Sequence, residues 1–415
     1  MAVKASVDAD TATDAVLLRL DRNVFHHGGL GVIRSLGRLG IRVHAMREDR
    51  LAPAGASRYA RRTMSPMPAG ADPDDVLDLL DRLADRLPGP AVLVTTDDAG
   101  AILLAEHGDK LRPRYLFPDP PADLPRRAAG KATLAEICRT AGVPHPATAV
   151  PVDAAEATAF ADACGYPVVA KVNLPWTADK AVGLQSTTIV RGREELLGLL
   201  DRARRATGDG PDTGLLLQEY LAPAPAGTRQ DWFFHGYFDA ASRCLFGHTG
   251  TKERSFPVQA GLTTYGRWVP NERLRAEAIA LVSGLGYRGI VDLDYRWDPR
   301  DDGYRLLDFN PRLGAQFRLF QDSAGLDAVR ALHLDLTGRG VTAGDPVPGR
   351  ALIVENYDLI AALAARRAGN LSLRSWLAAV RRADEAGWFA RDDPAPFFLA
   401  GARMLWLAAE HRLRR

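Results

Sequence analysis

The stretch from Gly289 to Arg312, GIVDLDYRWDPRDDGYRLLDFNPR, limits what this chain can fold into more than any other. Its first half alternates, with Asp292, Asp294 and Arg296 on one side and Val291, Leu293, Tyr295 and Trp297 on the other. That is the period of a β-strand. The charged DPRDDG that follows ends in glycine and predicts a hairpin connection. The second half alternates again: Leu306, Asp308 and Asn310 oppose Arg305, Leu307 and Phe309, and Pro311 then withdraws a backbone donor and stops the ladder. Paired antiparallel, the two strands bring Asp294, Asp308 and Asn310 to one face, with Arg312 at its end. Two carboxylates and an amide oxygen are too few for a whole Mg²⁺ shell. They suit an ion whose other positions are filled by phosphate oxygens and water, as at nucleotide sites. The competing expectation is a solvated hairpin face, because antiparallel sheets often turn one side to water.

Upstream of the hairpin, Ala15–Leu20 (AVLLRL) predicts a buried strand, HHGGLG a loop, VIRSLGRLG a helix and Ile41–Ala45 a second strand. This βαβ opening has a Gly-rich turn at Gly28, Gly29 and Gly31. GLGVIR lacks the third glycine of a dinucleotide fingerprint, so tight packing is preferred over an anion site, and an anion site over a nicotinamide site. Val76, Leu79, Leu80, Leu83 and Leu87 have helical spacing, and Ala91–Val94 is a further strand ending in Thr95–Asp98, where Thr96 or Asp97 is expected to cap the next helix. The Pro-rich 116–125 segment marks a boundary. Beyond it, Lys131 opens a helix stopped by Gly142 and Pro144, Lys171 sits on a strand, and LPWTADKAVGLQS, containing Trp176, Lys180 and Gly183, is read as a flexible loop. DWFFHGYFD and SRCLFGHTGTKER predict a long aromatic hairpin followed by a helix over 272–284. From Arg350 the chain turns rich in Ala, Arg and Leu, with helical patterns at 359–367 and 374–385. The final PFFLAGARMLWLAAEHRLRR is amphipathic with a basic end, expected to dock on the protein's own core rather than on a membrane surface.

Bulk properties exclude little but narrow the field. At 415 residues there is room for two or three domains, and a net charge of +2 gives no argument for nucleic acid or an anionic membrane as the main partner. Only six of the 53 basic residues are lysine: Lys4, Lys110, Lys131, Lys171, Lys180 and Lys252. Three separated cysteines without a CxxC indicate neither disulfides nor zinc, so a reducing cytoplasm is expected. The polar N-terminus lacks a signal-peptide core, and no apolar run is long enough to span a bilayer.

The order of these features resembles the ATP-grasp superfamily, especially its carboxylate–amine ligases. The resemblance is carried by Lys131 in KATLAEICRTAGVPHP, Lys171 in PVVAK, QEYL at 218–221, and Asp294 followed by Asp308-Phe309-Asn310-Pro311-Arg312. It implies an α/β ATP-grasp fold behind a Rossmann-like domain: residues 1–120 for that domain, 121–206 and 207–345 for the small and large grasping subdomains, and 346–415 for a helical extension. It implies that Lys131 and Lys171 contact nucleotide phosphates, that Gln218, Glu219, Tyr220 and Leu221 line the adenine, and that Asp231 meets the ribose. Lys180 and Gly183 would close over the triphosphate. Asp294, Asp308 and Asn310 would hold Mg²⁺, with Mn²⁺ as a substitute. Arg312 would meet the transferred phosphoryl group or the acyl phosphate, and Lys252 and Arg254 would face the γ-phosphate or the substrate carboxylate. Aspartates stand where the family often has glutamates, and the usual small-residue phosphate loop is replaced by LPWTADKAVG.

The expected reaction joins a carboxylate to an amine at the expense of ATP, through an acyl phosphate, with amino acids or peptides as substrates. A bicarbonate-using carboxylase and a non-catalytic nucleotide sensor are the alternatives. A homodimer is expected, and nucleic acid is not. His235 and His248 are read as structural histidines rather than as a base, while Arg267, Arg288, Arg296 and Arg318 are either carboxylate binders or surface arginines.

Overall fold

The computed structural model describes residues 7–46, 51–64, 72–172, 187–207, 215–225, 227–256, 262–367, 369 and 371–413. The chain separates into two compact units. The first takes Met1–Asp123, Phe233–Asp292 and Pro311–Arg415; the second takes Leu124–Trp232 and Leu293–Asn310.

The first unit contains a parallel five-stranded sheet. Its order is β3 (Ala60–Met64), β2 (Val43–Met46), β1 (Ala15–Leu18), β4 (Ala91–Thr95) and β5 (Tyr115–Leu116). The unbroken apolar run of β1 follows from burial on both faces. Ala15 and Leu17 pack with Leu30, Ile33 and Leu36 on one side, and Val16 and Leu18 with Val76, Leu80 and Leu103 on the other. The order reverses between β1 and β4, the place where such sheets leave a crevice at the strands' carboxyl ends. Asp97 ties that end together. It caps the helix Asp98–Glu106 by accepting from Gly100 N, and its other oxygen accepts from Leu20 N and Asp21 N at 2.6 and 2.8 Å.

The expected HHGGLG loop is largely helix, which runs from His27 to Gly37. Its glycines are there for close approach. A Cβ on Gly28 would lie 2.9 Å from Ala315 Cα, and one on Gly31 would lie 2.8 Å from Phe317 Cε1.

A second sheet of this unit runs from the start of β13 (Gly289–Asp298) through β10 (Asp231–Phe238), β11 (Cys244–Phe256), β12 (Leu262–Trp268) and β15 (Ala351–Ile353) to β16 (Glu385–Ala386). Phe233, Tyr237, Phe246 and Trp268 from the aromatic hairpin and its neighbour join the same core as β1. The C-terminal region is anchored by charge as well. Arg34 is fully buried; its Nε donates to Asp393 Oδ2 at 2.9 Å, and its Nη2 donates to the carbonyls of Trp388 and Asp393, each at 2.7 Å. Ser57 and the backbone of Arg58 complete the Asp393 carboxylate.

The second unit holds an antiparallel sheet ordered β6 (Thr148–Ala149), β9 (Leu215–Glu219), β7 (Val168–Val172) and β8 (Thr187–Val190). Val168, Ala170 and Leu217 face Ala157, Ala161, Leu196 and Leu200 of the helices Ala154–Cys164 and Arg193–Thr207. The same alternation turns Lys171 to the opposite face. The helix Lys131–Ala141 ends at Gly142, whose φ of +65° makes the left-handed cap glycine suits. The remainder of β13 and β14 (Gly303–Asn310) form the predicted hairpin.

A buried ion pair that loses one partner leaves a stranded charge. Asp393→Ala is therefore expected to lower unfolding stability by about 3–5 kcal/mol, read by urea titration. A loss under about 1 kcal/mol would mean that the pair is not the anchor.

Candidate functional site

In the second unit, three elements distant in sequence converge on one carboxylate. Lys131 Nζ, at the first turn of its helix, bonds Asp308 Oδ1, and Lys171 Nζ, from β7, lies 3.6 Å from the same oxygen. The three side chains are only 16%, 10% and 28% exposed, so the solvated-face expectation does not hold. Burial pulls the Lys171 ammonium below its ordinary pKa, with neighbouring Lys131 adding to that effect, while Asp308 and Asp294 pull the other way. Asp294 is thus within electrostatic reach of the cluster, and Asn310 follows Asp308 on the same side of β14.

The donor types here fit a hard cation. Carboxylate and amide oxygens are what Mg²⁺ takes, and it commonly takes few of them from protein when phosphates supply the rest. No group of three or more His, Cys, Asp or Glu side chains among the described residues could hold a metal alone. An ion at Asp294, Asp308 and Asn310 would therefore depend on oxygens that a bound ligand brings. The same ligand would offer Lys131 and Lys171 a new anionic partner in place of Asp308.

The other residues predicted for the nucleotide lie as follows. Gln218 is buried on β9, and its Nε2 donates to Thr148 Oγ1 at 3.2 Å. Glu219 has its backbone N–H on Ala147 O at 2.8 Å and its carboxylate 2.5 Å from Arg300 Nη1, so the side chain holds the sheet edge. Tyr220 is half-buried and Leu221 buried. Asp231 Oδ1 is 3.5 Å from Arg296 Nη1. Lys180, Gly183 and Trp176 lie outside the described residues.

The first unit carries a second charged cluster. Arg312 Nη1 donates to Asp292 Oδ2 at 2.9 Å, and its Nε lies 3.4 Å from Asp98 Oδ1. His235 Nε2 sits 3.1 Å from the other Asp292 oxygen. Burial would raise the Asp292 pKa, but the facing His235, then Arg312 and Lys252, outweigh it and hold the carboxyl well below its ordinary 3.8. Gly314 makes the approach possible, since a Cβ there would stand 2.3 Å from His235 Cε1 and 2.6 Å from Asp292 Oδ2. Lys252 is half-buried on β11.

Arg254 is engaged differently. Its guanidinium clasps the fully buried Asp358 at 2.7 and 2.9 Å and lies 4.3 Å over the Tyr265 ring. Arg267 pairs with Glu253, Arg288 with Asp119, and Arg318, which is buried, with Glu385. In the sequence Asp292 stands out only as a neighbour of Asp294, while the Thr95–Asp98 stretch reads first as a helix cap and His235 as a structural histidine. The available signal was the Asp-x-Asp alternation itself, which puts Asp292 on the same side of its strand as Asp294.

No family model matches the chain. A D-aspartate ligase of Enterococcus faecium is 24% identical over 333 residues, spanning 77% of this chain and 76% of that protein. Among solved structures, an L-amino acid ligase from Bacillus licheniformis superposes with a TM-score of 0.57 at 15% identity, covering 82% of this chain and 76% of the other. The biotin carboxylase domain of a Hydrogenobacter thermophilus 2-oxoglutarate carboxylase, bound to MgADP and bicarbonate, gives 0.56 at 18% identity, covering 81% and 72%.

Because the folded-state pKa of Asp292 lies below its unfolded value, its pairing stabilises the protein at every pH above about 4 and is lost as pH falls further. Asp292→Asn is expected to cost roughly 3 kcal/mol near neutrality. The gap to the parent should narrow below about pH 4 when urea unfolding is repeated across pH. A gap independent of pH would show that the carboxylate charge is not what matters.

Proposed function

We propose that this ATP-grasp protein, related in sequence to a D-aspartate ligase, is itself an ATP- and Mg²⁺-dependent ligase that joins a carboxylate to an amine and releases ADP and phosphate. The observation that carries this reading is the meeting of Lys131 and Lys171 on Asp308, beside Asp294 and Asn310. Residues 1–120 would contribute to substrate binding, 121–206 and 207–345 would form the two grasping subdomains, and 346–415 an accessory extension.

The chemistry follows from what a carboxylate lacks. Its negative charge repels an amine, and its oxide is a poor leaving group. Transfer of the γ-phosphoryl group to a carboxylate oxygen gives an acyl phosphate and ADP; attack by the amine nitrogen then forms the C–N bond, expels phosphate and releases a proton. Phosphoryl transfer asks the protein mainly for positioning and for positive charge around the moving group. Lys131 and Lys171 would bind phosphate oxygens, exchanging Asp308 for the ligand. Asp294, Asp308 and Asn310 would hold Mg²⁺, which when bound neutralises charge on the phosphates. Gln218 and Leu221 would line the base. Arg312, two residues beyond Asn310 along the chain, would bind the carboxylate or the acyl phosphate, with Asp292 and Asp98 fixing its orientation. Lys252, within electrostatic reach of Asp292, would add positive charge there. Arg254, committed to Asp358, is assigned to structure. A cytoplasmic setting and small acid and amine substrates complete the reading.

The bicarbonate-bound neighbour supports a second reading that shares the first step, with bicarbonate as the acid. Both are tested by measuring ATP consumption with Mg²⁺ against D- and L-amino acids, short peptides and bicarbonate, D-aspartate first. ADP and phosphate appearing only with an acid–amine pair would establish the ligase, and ADP formed with bicarbonate but no amino acid the carboxylase. AMP and pyrophosphate would overturn both. Asp308→Asn and Lys171→Met are each expected to reduce turnover by about 100-fold or more; unchanged turnover in either variant would remove these residues from the phosphate site.

A further inference from the structure

The C-terminal region carries a face that the protein's own core does not use. In the helix Leu373–Arg382 no residue is buried, although it is strongly amphipathic. It leans on the rest of the unit along one edge, where Ala379 and Ala383 pack against Tyr265, Ala351 and Ile353, and Trp376 Nε1 donates to Asp358 Oδ2 at 2.9 Å. Leu373, Leu377 and Val380 fall outside that edge and are exposed. Their spacing of four and then three residues makes a stripe along the helix. Arg374 and Arg381, seven residues apart, run along the stripe's other border, next to Leu373 and Leu377 around the helix. The preceding helix, Glu355–Arg367, repeats the arrangement: Leu359 and Leu363 are exposed one turn apart, and Arg366 and Arg367 close the last turn.

The charge on this stretch is one-sided. Between residues 359 and 382 there are five arginines (Arg366, Arg367, Arg374, Arg381 and Arg382) and no Asp or Glu, against a net charge of only +2 for the whole chain. The final helix, Ala395–Leu413, adds to the pattern. Its first half docks through Phe397 and Ala400, but from Gly401 onward no described residue is buried, and Leu405 and Trp406 are 74% and 71% exposed.

From this we infer that the helices at 355–367 and 373–382 seat on an anionic lipid surface, leucines in the acyl boundary and arginines among the headgroups. An exposed leucine stripe bordered by arginines is the design of an interfacial helix, with long basic side chains reaching back to the polar layer. Charge decides between occupants. A second copy applied through a two-fold axis would set the same arginines against each other with no acid in the stretch to meet them. A nucleic acid would satisfy the arginines and leave the leucines in water. An anionic bilayer satisfies both. The docking is peripheral, because no helix among the described residues is long and apolar enough to cross a membrane.

The test uses the full chain in co-sedimentation with vesicles of phosphatidylcholine alone or with about one third phosphatidylglycerol, at low and high salt. Binding is expected to favour the anionic vesicles by about tenfold or more and to weaken with salt. Arg374→Gln with Arg381→Gln should weaken it about 25-fold, roughly fivefold for each arginine. Leu373→Gln with Leu377→Gln, which leaves the charge unaltered, should weaken it by about tenfold or more while leaving the thermal midpoint unchanged, since both leucines are exposed. Failure to bind anionic vesicles would overturn the inference. So would binding indifferent to the leucine substitutions, which is adsorption by charge alone. A dimer seen by sedimentation and lost in the leucine variant, without vesicle binding, would assign the face to a second copy instead. The readout is independent of ATP turnover, so it stands or falls apart from the proposed reaction.

Discussion

A carboxylate held between two lysines in a half-buried setting is the constraint on which the second unit is built. Asp308 is the common partner of Lys131 and Lys171, which arrive from a helix and from a sheet strand. Taking such charges out of water is tolerated only when each is matched, so the helix start, the strand and the hairpin must all be in register for any of them to be stable. Asp294 also lies within electrostatic reach, so the two ammonium groups face two carboxylates, and it is burial, ahead of any of these charges, that holds the Lys171 ammonium below its ordinary pKa.

The first unit uses a similar device with the same signs. Asp292 is buried and faces His235, Arg312 and, at longer range, Lys252. Here one carboxylate organises several cations, and Gly314 supplies the space, because any side chain at that position would strike both His235 and Asp292. Asp98 holds the far side of the Arg312 guanidinium at the carboxyl end of the parallel sheet. An arginine held on two carboxylates has its guanidinium oriented by its own unit.

The C-terminal region divides its labour by residue type. Asp393 and Asp358 are buried and pair with Arg34 and Arg254, which fixes the region to the helix His27–Gly37 and to β11 through hydrogen-bonded charge. Arg366, Arg367, Arg374, Arg381 and Arg382 and the leucines beside them are exposed. A protein that needed these helices only as packing would have placed the leucine stripe inward, where each side chain contributes about 1.5–3 kcal/mol. The stripe's exposure is therefore a cost in the isolated chain, and it points to a partner that covers it.

Much of this was legible in the chain of residues alone. The period-two alternation of 289–310, the glycine after Ala141, the helix over 272–284 and the lysine on a buried strand each follow from local sterics and apolar periodicity, which act over a few residues. So does the preference for tight packing at Gly28–Gly31, where a Cβ on Gly28 or Gly31 would strike Ala315 or Phe317. What the sequence could not supply is which charges pair. Arg254 and Arg312 look alike in sequence, yet one is spent on a buried aspartate 104 residues away while the other joins Asp292 and Asp98. Nothing local separates them, because the energy of a charge depends on burial and on partners brought from distant segments. In the same way, 374–385 reads from the sequence only as a helical pattern, and the packing of Ala379, Ala383 and Trp376 decided that the leucine stripe would be left outside.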